Sequence, residues 1–247
     1  MLNYLSAELW RMTRRRVACA GWGIYLLLTF LTGLTFRGNP ASECIRAFQN
    51  FMVMGLYVAM PLADWAGSLT NEVSFGLPRV RIYLGKLSAA LLVGTALFLL
   101  TTVAFFLGAL SPSAVLALSR EDRALAGMAL LIAMLHSLPR YVGAVSLAYF
   151  LLFTIHPAGV GTVLYYLYIV LGELTLAAVR VMGMGVVGNV INRLAEAVRP
   201  FLLSNAYFVY SYGNAPPTLG NSWLTGALWL GVTTGLGLLL FRRREIR

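Results

Sequence analysis

The chain has 247 residues, of which 59% are hydrophobic and only 11% carry a charged side chain, and its mean hydropathy is +0.77. This composition lies well outside the range of ordinary soluble domains. The formal net charge of +10 could point to nucleic acid as a partner. The bases are clustered beside apolar runs, however, and that distribution orients a protein in a membrane. The sequence therefore predicts a membrane protein that does not bind nucleic acid.

Four stretches of 20 or more residues contain no charged residue at all. They are residues 17–36, 87–119, 141–172 and 200–241. An α-helix needs about 20 apolar residues to cross a hydrocarbon core of ~30 Å, and the backbone in lipid must satisfy its own hydrogen bonds. The sequence predicts an all-α membrane protein. Residues 1–247 are expected to form a single transmembrane domain with six transmembrane helices. The predicted spans are 17–36, 46–63, 87–110, 125–155, 158–179 and 222–241.

An amphipathic helix is predicted at residues 1–16, before the first span. Its apolar residues recur at helical spacing: Leu2, Leu5, Leu9 and Met12. We expect this helix to lie in the interface of the inner leaflet, with its apolar face toward lipid. The arginines and apolar run that follow look like a signal peptide, but the run is too long and lacks a small-x-small cleavage site, so we expect a retained span.

Arginines border both the first and the last span. Those before the first span are Arg11, Arg14, Arg15 and Arg16, and those after the last are Arg242, Arg243, Arg244 and Arg247. Bases accumulate on the cytoplasmic side of membrane proteins. Both termini are therefore predicted to be cytoplasmic, which an even number of spans allows, in a multi-pass protein of the plasma membrane.

A polar segment at residues 64–86 separates the second and third predicted spans. It contains "TNEVSFGLPRVRIYLGKL", in which one acid, three bases, two glycines and a proline follow one another closely. Pro78 is expected to interrupt any helix here, and Gly67, Gly76 and Gly85 permit sharp turns or close approach. A loop that only joined two spans would need a few polar residues. This one is long enough to project from the membrane and be held by a cytosolic partner.

Two charged residues interrupt the fourth and fifth predicted spans. Intramembrane charges usually face protein or water. If those spans form a hairpin near residues 156–157, Arg140 and Glu173 lie at equal path lengths from the turn and thus at similar depth. We expect them to form a buried or partly buried ion pair. An equally weighted alternative is that Arg140 caps an outer helix among the headgroups, with residues 124–139 forming a separate lid.

The segment 180–221 is predicted to be extracytoplasmic and to contain a re-entrant or interfacial stretch before the sixth span. "YFVYSYGNAPP" mixes aromatic residues with turn formers, which is typical of the membrane interface. The segment forms either an outer gate or a passive surface linker. In the sixth span, Gly231 and Gly235 make a G-x-x-x-G pattern that permits close helix approach.

No residue pattern in the chain supports catalysis. The histidines His136 and His156 lack the H-E-x-x-H spacing, and no cluster of cysteines or carboxylates offers metal ligands. "GMGVVG" matches the glycine spacing of a nucleotide-binding turn, but no strand precedes it. We therefore expect neither an active site, a metal site, nor a nucleotide site in this chain, and the histidine His136 is expected to be a core residue.

The polar segment gives the chain its one resemblance to a known family. "DWAGSLTNEVSFGLPRVRIYLGKL" resembles the cytoplasmic signature of permeases of type-2 class ABC exporters, in which an acid precedes Gly-Thr-Leu and a Gly-Ile-Ser-Arg element leads to Tyr-Leu-x-Lys. The chain departs from that signature with Ser68 for threonine, Pro78 for serine, and Asp64 one residue closer to the glycine. The topology is also similar, and it looks closest to the bacterial branch for export of, or immunity to, peptide antibiotics.

The resemblance implies that this segment is a coupling loop for an ATPase. Glu72, Arg79 and Arg81 would supply charge complementarity and Tyr83 an aromatic anchor, whereas Lys86 is close enough to the membrane to snorkel. Alternatively, the bases only mark the inner face of the membrane. The implied coupling residues are Asp64, Gly67, Ser68, Glu72, Gly76, Arg79, Arg81, Tyr83 and Lys86.

The implied function is that of a non-catalytic permease subunit. Such a subunit binds no cofactor itself and pairs with two copies of a cytosolic ABC ATPase, which uses ATP and Mg. A second permease copy or a homologous sister chain and membrane lipid complete the list of implied partners. The exported substrate is a peptide, a lipid or a drug-like molecule. The alternative is a membrane protein outside the ABC class, either a secondary carrier or a structural scaffold.

Overall fold

The computed structural model describes six segments of the chain and a few single positions, and the description below is confined to them. They are residues 2–34, 72–109, 120–155, 158–171, 201–203 and 218–243, with residues 190, 193 and 197. Within these ranges the ordered elements are helices and no strand occurs. The helices are α1 (Leu2–Thr13), α2 (Arg16–Leu34), α3 (Arg79–Ala109), α4 (Arg120–Thr154), α5 (Ala158–Tyr166), which continues as a π-helical turn (Leu167–Leu171), and α6 (Leu219–Arg243).

Two helices in the described ranges are long and apolar enough to cross a membrane. These are Arg79–Gly108, with 30 residues, and Leu219–Arg242, with 24 residues. A third span results if Asn3–Thr13 and Ala18–Leu34, which are bent by 70° to each other, are counted together. The all-helical prediction is thus confirmed for the described residues, and these helices have the length and apolar composition expected of membrane spans. Six spans are not shown, and the second predicted span, residues 46–63, lies outside the described residues.

The apolar face of α1 packs against the protein, which corrects the expectation that it faces lipid. Met12 is buried, and Leu5 and Leu9 pack against the hydrophobic core. An apolar stripe on a helix gains free energy from either apolar environment, so its sequence pattern does not distinguish lipid from protein. The consequence is that the opposite face of α1 is the exposed one.

The helix α3 begins at Arg79, so the last eight residues of the predicted loop are helical. Pro78 was expected to interrupt a helix, but it precedes the first turn, and its carbonyl accepts hydrogen bonds from the amides of Arg81 and Ile82 at 2.8 and 3.2 Å. Proline suits this position because the first amides of a helix have no partner within the helix, so a missing N–H is no loss, and its φ is already helical.

A tight turn at residues 72–78 precedes α3. Its single helical turn, residues 72–74, ends in paired hydrogen bonds from Gly76 N to Val73 O at 3.0 Å and from Leu77 N to Glu72 O at 3.3 Å. Gly76 has a φ of +78°, a left-handed conformation that favours glycine. The chain therefore reverses within three residues and leads directly into α3.

The core of the described structure lies between α3, α4 and α6. The rings of Tyr83, Tyr149, Phe153 and Phe241 contact one another with centroid separations between 4.9 and 6.4 Å. Because Pro139 contacts Gly226 while Phe153 contacts Phe241, α4 and α6 run parallel. By the same reasoning α3 is antiparallel to both, since Tyr83 near its start contacts the end of α6 and Phe98 contacts Tyr141.

Close packing of α4 and α6 depends on Gly226. A Cβ atom at this position would collide with the backbone carbonyl of Pro139, whereas nothing lies within 4 Å of a Cβ at Gly23 in α2. We expect Gly226→Ala to lower the free energy of unfolding by about 1–3 kcal/mol, as overpacking does, measured by thermal unfolding of the detergent-solubilised chain. Gly23→Ala is the control and should be neutral or slightly stabilising. Equal stability of the two variants would contradict this packing.

Candidate functional site

Positive charge is concentrated at one end of the helix assembly. The end comprises α1, the starts of α2 and α3 and the end of α6, which are brought together by contacts between Tyr4 and Gly85 and between Tyr83 and Gly237. Only two acids, Glu8 and Glu72, lie at this end within the described residues. The bases described there are Arg11, Arg14, Arg15, Arg16, Arg79, Arg81, Lys86, Arg242 and Arg243.

Lys86 is fully buried at this end, between two carboxylates. Its Nζ lies 2.9 Å from Glu72 Oε1 and 3.1 Å from Glu8 Oε1. The expectation that Lys86 snorkels to the membrane surface is therefore wrong. The reason is geometric: α3 extends two turns beyond the predicted start of the span, so Lys86 lies within a packed helix and faces α1.

Two further side chains complete what is here named the Lys86 cluster, which consists of Tyr4, Glu8, Arg11, Glu72 and Lys86. Arg11 Nη2 donates to Glu8 Oε2 at 2.5 Å, and its Nη1 lies 3.7 Å from Glu72 Oε1. The phenol of Tyr4 donates to Glu72 Oε2 at 2.8 Å. Two acids and two bases give the cluster a formal charge of zero, so each of its charges is compensated by an opposite charge within the cluster.

A glycine admits Tyr4 to the cluster. A Cβ atom at Gly85 would lie 2.5 Å from Tyr4 Cδ1, so only glycine allows the ring to lie against α3 at this point. Burial, followed by the negative charge of Glu8, raises the pKa of the Tyr4 phenol well above its ordinary value. The phenol therefore stays protonated at physiological pH and remains a hydrogen-bond donor to Glu72.

The Lys86 cluster joins three parts of the chain that are far apart in sequence. Glu8 comes from α1, Glu72 from the turn at 72–78, and Lys86 from α3. A buried charge that loses its partner costs several kcal/mol, so the three parts are strongly held in one arrangement. The arrangement makes α1, the turn and the start of α3 a single rigid unit.

The other residues of the predicted coupling loop have separate positions. Arg79 donates to the carbonyls of Phe241 and Arg242 at 3.3 and 3.0 Å, where it satisfies acceptors at the carboxyl end of α6. Arg81 is exposed. Asp64, Gly67 and Ser68 lie outside the described residues.

Tyr83 is not placed where an aromatic anchor for a partner would have to be. It is fully buried, its ring lies against Gly237, and its hydroxyl donates to Thr233 O at 3.4 Å. The expectation that Tyr83 contacts a partner is therefore wrong, because a helix starting at Arg79 turns this side chain into the core of the chain.

Phe75, which the sequence did not single out, is the more exposed of two exposed aromatic residues described at this end, the other being Trp10. Phe75 lies at the tip of the turn, between Ser74 and Gly76, and is 84% exposed. Val73 and Leu77 on either side pack against the core and fix the turn. The feature of the sequence that could have identified Phe75 is a single aromatic residue within a short polar segment.

A second cation, Arg140 of α4, is fully buried toward the other end of α6. Its Nη1 donates to Leu202 O at 2.6 Å and lies 3.5 Å from Leu203 O, and its Nε lies 3.4 Å from Ser222 Oγ. Arg140 thus lies inside the protein and not among headgroups, and residues 124–139 are continuous with the rest of α4. Its predicted partner, Glu173, is outside the described residues.

Other side chains hold the same backbone segment. Trp229 Nε1 donates to Phe201 O at 2.8 Å, and Leu203 N donates to the Tyr168 hydroxyl at 3.5 Å. His136 is partly exposed, and its Nδ1 lies 3.1 Å from Ser222 Oγ, so its ring has a polar partner on α6. The three carbonyls of residues 201–203 and the amide of Leu203 are thus met by side chains of α4, α6 and the π-helical turn.

Comparison with models of protein families and with curated proteins found no match for the sequence. Across the described residues, no group of three or more His, Cys, Asp or Glu side chains could hold a metal ion. The contacts around Lys86 and around Arg140, together with the sequence, are therefore what bears on the function.

Replacement of Lys86 should show that its cluster acts as a unit. Lys86→Met leaves two buried carboxylates without the ammonium and is expected to cost about 3–5 kcal/mol of unfolding free energy. Because Glu8→Gln removes one of those carboxylates, it should cost less in the Lys86→Met background than in the wild type. Thermal unfolding of the four chains in detergent measures this. The exposed Arg81→Met is the control, and strictly additive effects would contradict the cluster.

Replacement of Arg140 should loosen the segment at residues 201–203. Arg140→Met removes the donor of two buried carbonyls and is expected to cost about 1–3 kcal/mol. Arg140→Lys should recover part of the loss, because an ammonium still reaches one carbonyl, and Ser222→Ala should cost least because it leaves both carbonyl contacts of Arg140 in place. The measurement is the thermal unfolding midpoint. An unfolding midpoint unchanged by Arg140→Met would contradict the conclusion that Arg140 holds the segment at residues 201–203.

Proposed function

We propose that the chain is the membrane-spanning permease subunit of an ATP-driven exporter, with the turn at residues 72–78 as its contact with a separate ATPase. The observation that carries this proposal is the turn itself. It is held rigidly by the Lys86 cluster, it continues directly into a 31-residue helix, and it presents Phe75 at its tip. A passive connection between two helices would need none of these features.

The gathering of bases supports a cytoplasmic position for this end. Nine Lys and Arg residues lie there among those described, and bases adjoining spans are retained on the cytoplasmic side. Both acids are paired within the Lys86 cluster, so they do not offset the charge at the surface. The chain would then lie in the bacterial plasma membrane as a multi-pass protein, with both termini and the turn inside the cell.

The mechanics follow from the continuity of α3. Residues 79–86 extend the helix by about 12 Å beyond the predicted start of the span, at 1.5 Å per residue. A displacement of the turn is therefore carried into the span by helical hydrogen bonds and not by a flexible loop. The same displacement reaches α1 through Glu8 and α6 through Arg79. In this proposal, closure of an ATPase dimer moves the turn and biases a two-state membrane domain.

The chemistry of the turn defines the surface that would receive it. Phe75 requires an apolar cleft, and the exposed Arg81 requires an acidic rim beside it. A cytosolic ABC ATPase, in two copies and with its own ATP and Mg, would provide this surface, and a second permease copy or a sister chain would complete the transporter. The exported substrate is a peptide, a lipid or a drug-like molecule.

The contacts of Arg140 with Leu202 and Leu203 support a re-entrant segment at the outer side of the membrane. Leu203 lies against Gly143 beside Gly226, and Phe201 O accepts from Trp229, so residues 201–203 lie about 10–15 Å along α6 from Leu219. Backbone that is not fully helical is tolerated at such depth only where protein satisfies it, as Arg140 and Trp229 do. We assign this segment as part of an outer gate.

Loss of the Phe75 ring should weaken the contact with the ATPase. Phe75→Ser is expected to reduce affinity by about 30-fold, since a central aromatic anchor is worth about 2 kcal/mol. The measurement is co-purification of the tagged chain from its native membrane, with quantitative mass spectrometry of the proteins recovered. Ser74→Asn, at the neighbouring exposed position, is the matched control and should retain the partner.

Two outcomes would contradict the proposal. One is recovery of the chain without any ATPase subunit. The other is transport by the purified chain alone in vesicles that contain no ATPase, which would indicate a secondary carrier. Undiminished recovery of an ATPase with Phe75→Ser would leave the permease assignment standing but would remove the turn as its contact.

A further inference from the structure

The exposed face of α1 carries an aromatic residue next to a cation. Asn3, Ala7, Trp10 and Arg14 recur at the spacing of one helix face, and all four are exposed, Trp10 by 60%. The guanidinium of Arg14 lies over the Trp10 ring at 4.4 Å from its centroid. Such stacking leaves the edge of the guanidinium, with its N–H donors, directed to the surroundings.

Two more arginines follow at the junction of α1 and α2. Arg14 and Arg15 connect the two helices, and Arg16 is the first residue of α2. We name Trp10, Arg14, Arg15 and Arg16 the elbow. Within the described residues, no ion pair joins Arg14 or Arg16 to a carboxylate, and both side chains are exposed.

The acids of α1 and the turn do not reach this face. Glu8 is buried and Glu72 nearly so, and both are paired with Lys86. The Lys86 cluster therefore neutralises both acids described at this end. Arg14 and Arg16 are exposed cations with no carboxylate paired to them among the described residues, and this arrangement favours an external anion.

We propose that the elbow binds the phosphate headgroups of anionic phospholipids. The bend of 70° between α1 and α2 lays α1 close to the membrane plane when α2 crosses it. This places Trp10 at the level where amphipathic aromatic rings collect and the arginines at the level of the phosphates. The ring contacts the upper acyl chains, and the guanidinium groups donate hydrogen bonds to phosphate oxygens.

The position of α1 gives this binding a consequence. One face of α1 is held by lipid and the other by the Lys86 cluster, so anionic lipid stabilises the arrangement that fixes the turn at residues 72–78. This consequence rests on the proposed function, since the turn is there the contact with the ATPase. Lipid binding itself does not rest on it.

The experiment uses the purified full-length chain without any ATPase. Short-chain phosphatidylglycerol and phosphatidylcholine are titrated separately against the detergent-solubilised chain, and bound lipids are counted by native mass spectrometry. Phosphatidylglycerol should bind more tightly to the wild type. The double variant Arg14→Gln with Arg16→Gln should lose about 30-fold in affinity for it, which corresponds to two cations at the surface.

Three controls separate the explanations. Arg193→Gln removes an exposed arginine away from the elbow and should bind like the wild type. Unfolding midpoints in lipid-free detergent should be the same for all variants, because the changed side chains are exposed. Inorganic phosphate should fail to displace the lipid, which distinguishes a headgroup site from a site for free phosphate.

Equal affinity for the two lipids, or unchanged affinity in the double variant, would overturn the proposal. Displacement by inorganic phosphate at the concentration of the lipid would also overturn it in favour of a soluble anion. Because no ATPase is present, failure here leaves the permease assignment untouched. Conversely, loss of ATPase recovery with Phe75→Ser has no bearing on lipid affinity.

Discussion

The burial of the Lys86 ammonium between Glu8 and Glu72 is the interaction on which the arrangement of the positive end depends. A charge with no exposed surface is tolerated only when opposite charge and hydrogen-bond acceptors surround it. Here they come from two other parts of the chain, at 2.9 and 3.1 Å. The requirement to compensate one cation therefore brings α1 and the turn against α3, and the glycine at position 85 allows the close approach that the contact needs.

The other buried cation has a different kind of partner. Arg140 donates to the backbone carbonyls of Leu202 and Leu203, which are not part of an α-helix. Lys86 thus fixes helices relative to one another, whereas Arg140 permits a break in regular structure beside them. Both depend on glycine: Gly85 admits Tyr4, and Gly226 admits the backbone of α4 at Pro139. Polar side chains set the contacts, and the absence of a Cβ determines where helices approach.

The sequence predicted the helices well and their environment less well. Run length follows from membrane thickness, so the predicted segments 17–36 and 222–241 correspond to Arg16–Leu34 and Leu219–Arg243. The start of α3 was missed because a proline ends a helix or begins one, and only the structure shows which. From that single error followed two others. Lys86 and Tyr83 were expected at a surface, yet in an extended helix both side chains face the interior.

The direction of the apolar face of α1, toward the protein, has the largest functional consequence. Leu5, Leu9 and Met12 form an apolar stripe, and the period of the stripe is the same whether lipid or protein covers it. The deciding residue is Glu8, which lies between them in sequence and, on this helix, on the same side. A carboxylate on the covered face excludes a lipid environment but is satisfied by Lys86 of α3. With that face directed inward, Trp10 and Arg14 are exposed, and the lysine that pairs with Glu8 of α1 also pairs with Glu72 of the turn.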